Sequence, residues 1–142
     1  MPPSTENFEG YYIGVMTGTS GDGLDIALVN INRSQTLQFV SSETIPFSPQ
    51  LREKLIELST PSANEIEKLG QCDTELGNFI GRSIMSFLKS HNVSAKRIVA
   101  IGSHGQTIRH RPPSVGNPFP FTLQIGCDFR LGRRVRQGEG KC

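Results

Sequence analysis

The chain has 142 residues, 35% hydrophobic and 20% charged, with a formal net charge of +2. That length suits one domain, and the apolar fraction excludes a wholly disordered chain. The small net charge makes no case for nucleic acid, no apolar run could span a bilayer, and the first residues lack the basic start and apolar core of a signal peptide. A cytoplasmic protein is expected. Cys72, Cys127 and Cys142 are few and widely spaced, which fits reduced thiols rather than a disulfide framework or a zinc site.

Residues 1–10 read as a disordered lead. Tyr11 to Met16 and Leu24 to Ile31 are apolar runs on either side of a turn rich in Gly, Thr, Ser and Asp, and read as two paired strands. Thr36 to Ile45 reads as a third, with Leu37, Phe39 and Val40 as its apolar residues, so the three form an antiparallel meander. Ser48 is placed to cap a helix that has Pro49 at its first position and Leu51, Leu55 and Leu58 at helical spacing. Ser59-Thr60-Pro61-Ser62 ends it. A longer helix is expected from about Ala63 to His91, with Ile66, Leu69, Leu76, Ile80, Ile84 and Phe87 as its apolar stripe. Gly70, Gly77 and Gly81 lie inside it, which implies close packing against a neighbour, or else a kink. Arg97 to Ile101 reads as a short buried strand parallel to the first. The proline-rich stretch Arg109 to Pro120 reads as an irregular loop, and Phe121 to Gly126 as a further short strand. After Gly126 the apolar periodicity stops.

Two segments carry candidate chemistry. In the first turn Gly18, Gly21 and Gly23 permit close approach to the backbone, Thr17, Thr19 and Ser20 offer hydroxyls, and the amides can form an anion-binding concavity. Asp22 and Asp25 would repel a bare phosphate, whereas phosphate with Mg²⁺ satisfies both amides and carboxylates. An ordinary glycine-rich hairpin has the same composition. The spacing is neither a Walker A loop nor a dinucleotide fingerprint. The second segment, Gly102 to Thr107, sits at the carboxyl end of a strand expected to be buried, where open α/β sheets place ligands. Ser103 beside His104 is not a nucleophile–base pair, because neighbouring strand residues point to opposite faces.

Three stretches together resemble the anhydro-N-acetylmuramic acid kinases. Gly14 to Asp25 resembles that family's opening phosphate loop, Ile101 to His110 its second signature, and Thr122 to Gly126 its third, in the family's order. The resemblance covers residues 11 to 126. It implies an α/β fold of the ribonuclease-H-like, actin-like ATPase type, with this chain carrying part of the first of two domains. The implied reaction uses ATP and Mg²⁺ to open the 1,6-anhydro ring of anhydro-N-acetylmuramic acid, with water adding at the anomeric carbon and the 6-oxygen taking the phosphoryl group. The product would be N-acetylmuramic acid 6-phosphate, an intermediate of cell-wall recycling.

The resemblance also assigns residues. Gly18, Thr19, Ser20, Gly21, Asp22, Gly23, Leu24 and Asp25 match the ATP-binding loop, with Asp22 acting on Mg²⁺ through water. Ser103, His104, Gly105, Gln106, Thr107 and Gln124 match the sugar side. Asp128, in Asp128-Phe129-Arg130, matches the catalytic base that deprotonates the attacking water. The chain departs from the family in three places. Gly21 stands where a bulky apolar residue is usual, only Cys127 separates Gly126 from Asp128, and the family's second domain is expected to be absent. Residues 127–142 are therefore expected to be a divergent basic tail, the product of a skipped exon or shifted frame. The alternative function is a catalytically inactive fragment that binds sugar or nucleotide weakly and self-associates through an exposed sheet. The tail arginines carry no aromatic interleaving beyond Phe129, which disfavours nucleic acid as a partner.

Overall fold

A computed structural model of the chain describes residues 9–18, 20–114 and 116–126. Its elements are β1 (Gly10–Thr17), β2 (Gly23–Ile31), β3 (Leu37–Pro46), α1 (Pro49–Leu58), α2 (Glu65–Ser90), β4 (Ile98–Ser103), β5 (Gln106–Arg111) and β6 (Phe121–Ile125). The expected meander is present. β1, β2 and β3 pair antiparallel, and β4 pairs parallel with β1, giving a mixed sheet in the order β3-β2-β1-β4.

Alternation along the strands gives this sheet one apolar face. Ile13, Val15 and Thr17 on β1 and Leu24, Ile26 and Leu28 on β2 are buried, while Gly14, Met16 and Asp25 lie on the opposite face. The two helices cover the apolar face. Ser48 caps α1 by accepting a hydrogen bond from the Leu51 amide at 3.2 Å, and Pro49 opens the helix. Leu51, Leu55 and Leu58 are buried as their spacing requires. β3 is the edge strand and lies beyond this cover. Its apolar residues Leu37, Phe39 and Val40 are accordingly exposed.

α2 is a continuous helix of 26 residues. Leu76, Ile80, Ile84 and Phe87 of the expected stripe are buried, joined by Cys72 and Leu88, but Ile66 is 85% exposed. The stripe begins one turn later than its spacing suggested: in the first turn Glu65 meets Arg109, and Ile66 beside it faces solvent. Gly77 and Gly81 are buried on the packed side. Gly70 is exposed with open space around it, so close packing does not explain that glycine.

A second sheet holds only β5 and β6, paired antiparallel. Arg109, His110 and Arg111 therefore belong to a strand, not to the irregular loop expected from the prolines that follow them. Ile108 and Ile125 bury this hairpin against the core. Arg109 fastens it further: its guanidinium donates to the Leu58 carbonyl at the end of α1 and pairs with Glu65 at the start of α2.

Candidate functional site

The parallel pairing of β1 with β4 decides where the two signature segments lie. The register sets Val15 opposite Ser103, so both strands end on the same side of the sheet. The glycine turn leaves β1 there, and Ser103-His104-Gly105 leaves β4 beside it. Two hydrogen bonds join them. The His104 amide donates to the Val15 carbonyl at 3.0 Å, and the buried Thr17 hydroxyl donates to the Gly105 carbonyl at 2.8 Å. The Thr17 hydroxyl is thus occupied inside the protein. Gly105 is buried and takes φ +66°, a left-handed conformation that glycine adopts without steric cost and that turns the chain from β4 into β5.

The turn is closed by the Gly21 amide donating to the Gly18 carbonyl at 3.0 Å. That amide is unavailable to a ligand, whereas the exposed Ser20 and Asp22 amides make no backbone hydrogen bond among the described residues. Gly21 takes φ +63°, and an added Cβ would meet no atom within 4 Å. The bulky residue usual in the resembling family would therefore find room here, but at a backbone angle side chains rarely adopt. Gly23 is needed for a different reason: a Cβ there would stand 2.6 Å from the Ile45 carbonyl oxygen of β3.

Asp22 stands at the mouth of the turn. Its carbonyl accepts from the Phe47 amide at 3.1 Å, and Arg52 on α1 donates through Nε to its Oδ1 at 3.1 Å. Both side chains are largely exposed, so this pair orients the carboxylate more than it stabilises the fold. Leu24 is fully buried and belongs to the hydrophobic core beneath the turn. Asp25 lies on the other face of the sheet, where it accepts a hydrogen bond from Thr44 on β3 at 2.5 Å. Thr19 and Asp128 lie outside the described residues. Among the described residues no group of three or more His, Cys, Asp or Glu side chains could cage a metal ion. A single carboxylate beside free amides suits a hydrated Mg²⁺ that arrives with phosphate oxygens.

The residues that the resemblance assigns to the sugar divide into two sets. His104, Thr107 and Gln124 form one cluster, because the β5–β6 register sets Thr107 opposite Gln124. Gln124 Nε2 lies 2.9 Å from His104 Nε2 and 3.4 Å from Thr107 Oγ1. Ser103 accepts from the Gly105 amide at 3.3 Å. Gln106 points elsewhere. It is buried, its Nε2 is directed at the Gly18 carbonyl (3.5 Å) and the Thr107 carbonyl (3.3 Å), and its Oε1 has no hydrogen-bond partner among the described residues. It sits beneath the glycine turn rather than with Gln124.

Two contributors were not legible in the sequence. Arg52 looks like any exposed charge on a helix until α1 is placed against the turn. Asp73 on α2 accepts from the Gly126 amide at 2.6 Å and so fixes the chain as it leaves β6 towards Asp128. Gly126 itself takes φ +79° and packs so closely on α2 that a Cβ would lie 2.5 Å from Leu76 Cδ2. The glycine at this place in the third signature thus answers to helix packing.

Sequence comparison gives an independent reading. The family profile for anhydro-N-acetylmuramic acid kinase matches residues 10–136. The chain is 46% identical over 115 residues to the anhydro-N-acetylmuramic acid kinase of Saccharophagus degradans, covering 81% of this chain and 31% of that protein. It is 42% identical over 118 residues to the enzyme of that name from Colwellia psychrerythraea, covering 82% and 29%. For the Acinetobacter baylyi enzyme of that name the figures are 44% over 115 residues, 81% and 28%. The chain thus spans about three-tenths of the length of these relatives.

Proposed function

The chain belongs to the anhydro-N-acetylmuramic acid kinase family, a family of carbohydrate kinases, and we propose that it forms the phosphate-holding part of a site for ATP-dependent phosphorylation of 1,6-anhydro-N-acetylmuramic acid. One observation carries this reading. The glycine turn and the Ser103–Thr107 segment leave parallel strands at the same sheet end and are bonded to each other through Thr17 and His104. A nucleotide phosphate on the turn would face a sugar held by the cluster around His104. The arrangement fits a ribonuclease-H-like domain, and the location proposed for the protein is the cytoplasm. No helix among the described residues is long and apolar enough to cross a membrane.

In this reading the Ser20 and Asp22 amides hold phosphate oxygens, and Arg52 keeps the Asp22 carboxylate turned to the mouth of the site. Mg²⁺ held through water at Asp22 would neutralise phosphate charge. His104, Thr107 and Gln124 orient the sugar, and Asp128 deprotonates the water that opens the anhydro ring. Phosphoryl transfer depends on such positioning and charge neutralisation more than on covalent chemistry by the protein.

The test is phosphate transfer from labelled ATP to 1,6-anhydro-N-acetylmuramic acid, with the wild-type chain beside Asp128→Asn. Transfer that the substitution abolishes supports the reading. A folded chain that shows calorimetric binding of the sugar or of ATP without transfer would be a binding fragment. A folded chain that binds neither would refute both.

A further inference from the structure

We infer that His104 is a positioning residue that sets the polarity of Gln124, so that this site offers the sugar a hydrogen-bond acceptor and reads an O–H or N–H donor on it. The inference rests on the sugar-side reading above and deepens it.

The argument is one of hydrogen-bond bookkeeping. His104 Nδ1 lies 3.2 Å from the Gly105 carbonyl oxygen. A carbonyl can only accept, so Nδ1 carries the hydrogen. In the neutral ring Nε2 then has a lone pair and no hydrogen. The atom facing it at 2.9 Å must therefore donate, and that atom is Gln124 Nε2. The same amide nitrogen reaches Thr107 Oγ1 at 3.4 Å. Gln124 Oε1 is thus the end turned away from the imidazole, and it makes no hydrogen bond among the described residues.

The chain of constraint extends back to the phosphate turn. The Gly105 carbonyl that fixes the tautomer also accepts from Thr17 at 2.8 Å, and the His104 amide is held by Val15. The ring is therefore held from β1, while the amide it orients stands on β6. Without this control, the two ends of a glutamine amide would present a donor or an acceptor with little preference. With it, the end offered is chosen before the ligand arrives, which lowers the ordering cost of binding.

Nitrogen-15 NMR of the imidazole tests the polarity directly in the unliganded full chain at neutral pH. The expected signature is a protonated Nδ1 with an unprotonated Nε2. A ring protonated at Nε2 instead, or averaging between tautomers, would overturn the inference. Gln124→Glu keeps an outward oxygen but sets a second acceptor against Nε2, so Nε2 of the ring should carry a hydrogen in that variant. An unchanged ring in that variant would also overturn it.

Calorimetry with 1,6-anhydro-N-acetylmuramic acid tests the consequence. Gln124→Leu should weaken binding about tenfold, the worth of one hydrogen bond, and Gln124→Glu should remain within about threefold of wild type. Equal weakening in both variants would overturn the acceptor assignment. If the wild-type chain binds no sugar, the proposed function fails at this site, and the ring spectra still decide the polarity of Gln124.

Discussion

Replacing Thr17 by valine removes one oxygen atom and little else, which makes it a sharp test of how the two signature segments are joined. Both side chains are β-branched, so the strand preference of β1 is kept. Thr17 is 4% exposed, and its hydroxyl donates to the Gly105 carbonyl at 2.8 Å. Among the described residues, valine leaves that carbonyl with only the His104 ring as donor, at 3.2 Å. Loss of a buried hydrogen bond with partial loss of satisfaction costs about 1–2 kcal/mol. For a domain of this size that lowers the melting temperature by about 3–8 °C. The effect should also be local. Hydrogen exchange at the His104 amide, which is bonded to the Val15 carbonyl, should accelerate beyond the change expected from global stability. Thr17→Ser provides the control. It destabilises by a buried methyl, about 1 kcal/mol, but keeps the donor and so leaves the relative protection of His104 unchanged. A Thr17→Val chain that melts within about 1 °C of wild type, with His104 exchanging as before, would refute the joining role.

Gly126→Ala should destabilise by about 2–4 kcal/mol in urea unfolding, because it combines a left-handed angle with a Cβ driven into Leu76; a neutral result would show that α2 does not press on the end of β6. Burial pushes the Cys72 thiol up to about 11 from its ordinary 9.0, with nearby Glu75 adding to the effect. Since the folded value is the raised one, its contribution to stability is complete below pH 9 and is lost as pH rises through about 11. Iodoacetamide followed by peptide mapping should accordingly leave Cys72 unmodified in the native chain at neutral pH and modify it in denaturant. Ile66→Lys should change stability by less than about 0.5 kcal/mol, since Ile66 is 85% exposed; a larger loss in thermal melting would mean that this turn of α2 is covered after all.

Local chemistry was enough for the elements themselves. Two apolar runs and the Gly-rich turn between them marked β1 and β2, and Ser48 with Pro49 marked the start of α1, because each depends on residues close in sequence. The three signature segments were also legible as residue strings, and so was the family they resemble. What the strings could not show is which atoms face one another. Gln106 is adjacent to Thr107 in sequence, yet it lies under the glycine turn, while Thr107 joins Gln124 and His104. Arg109 to Arg111 form a strand because β6 supplies the partner, and the first turn of α2 sets Glu65 rather than Ile66 against β5. Hydrophobic pattern and turn chemistry are short-range properties carried by the sequence itself. Strand partnership, the bond that joins Thr17 to Gly105 and the free end of Gln124 are set by groups up to 88 residues apart, and only the folded chain brings those together.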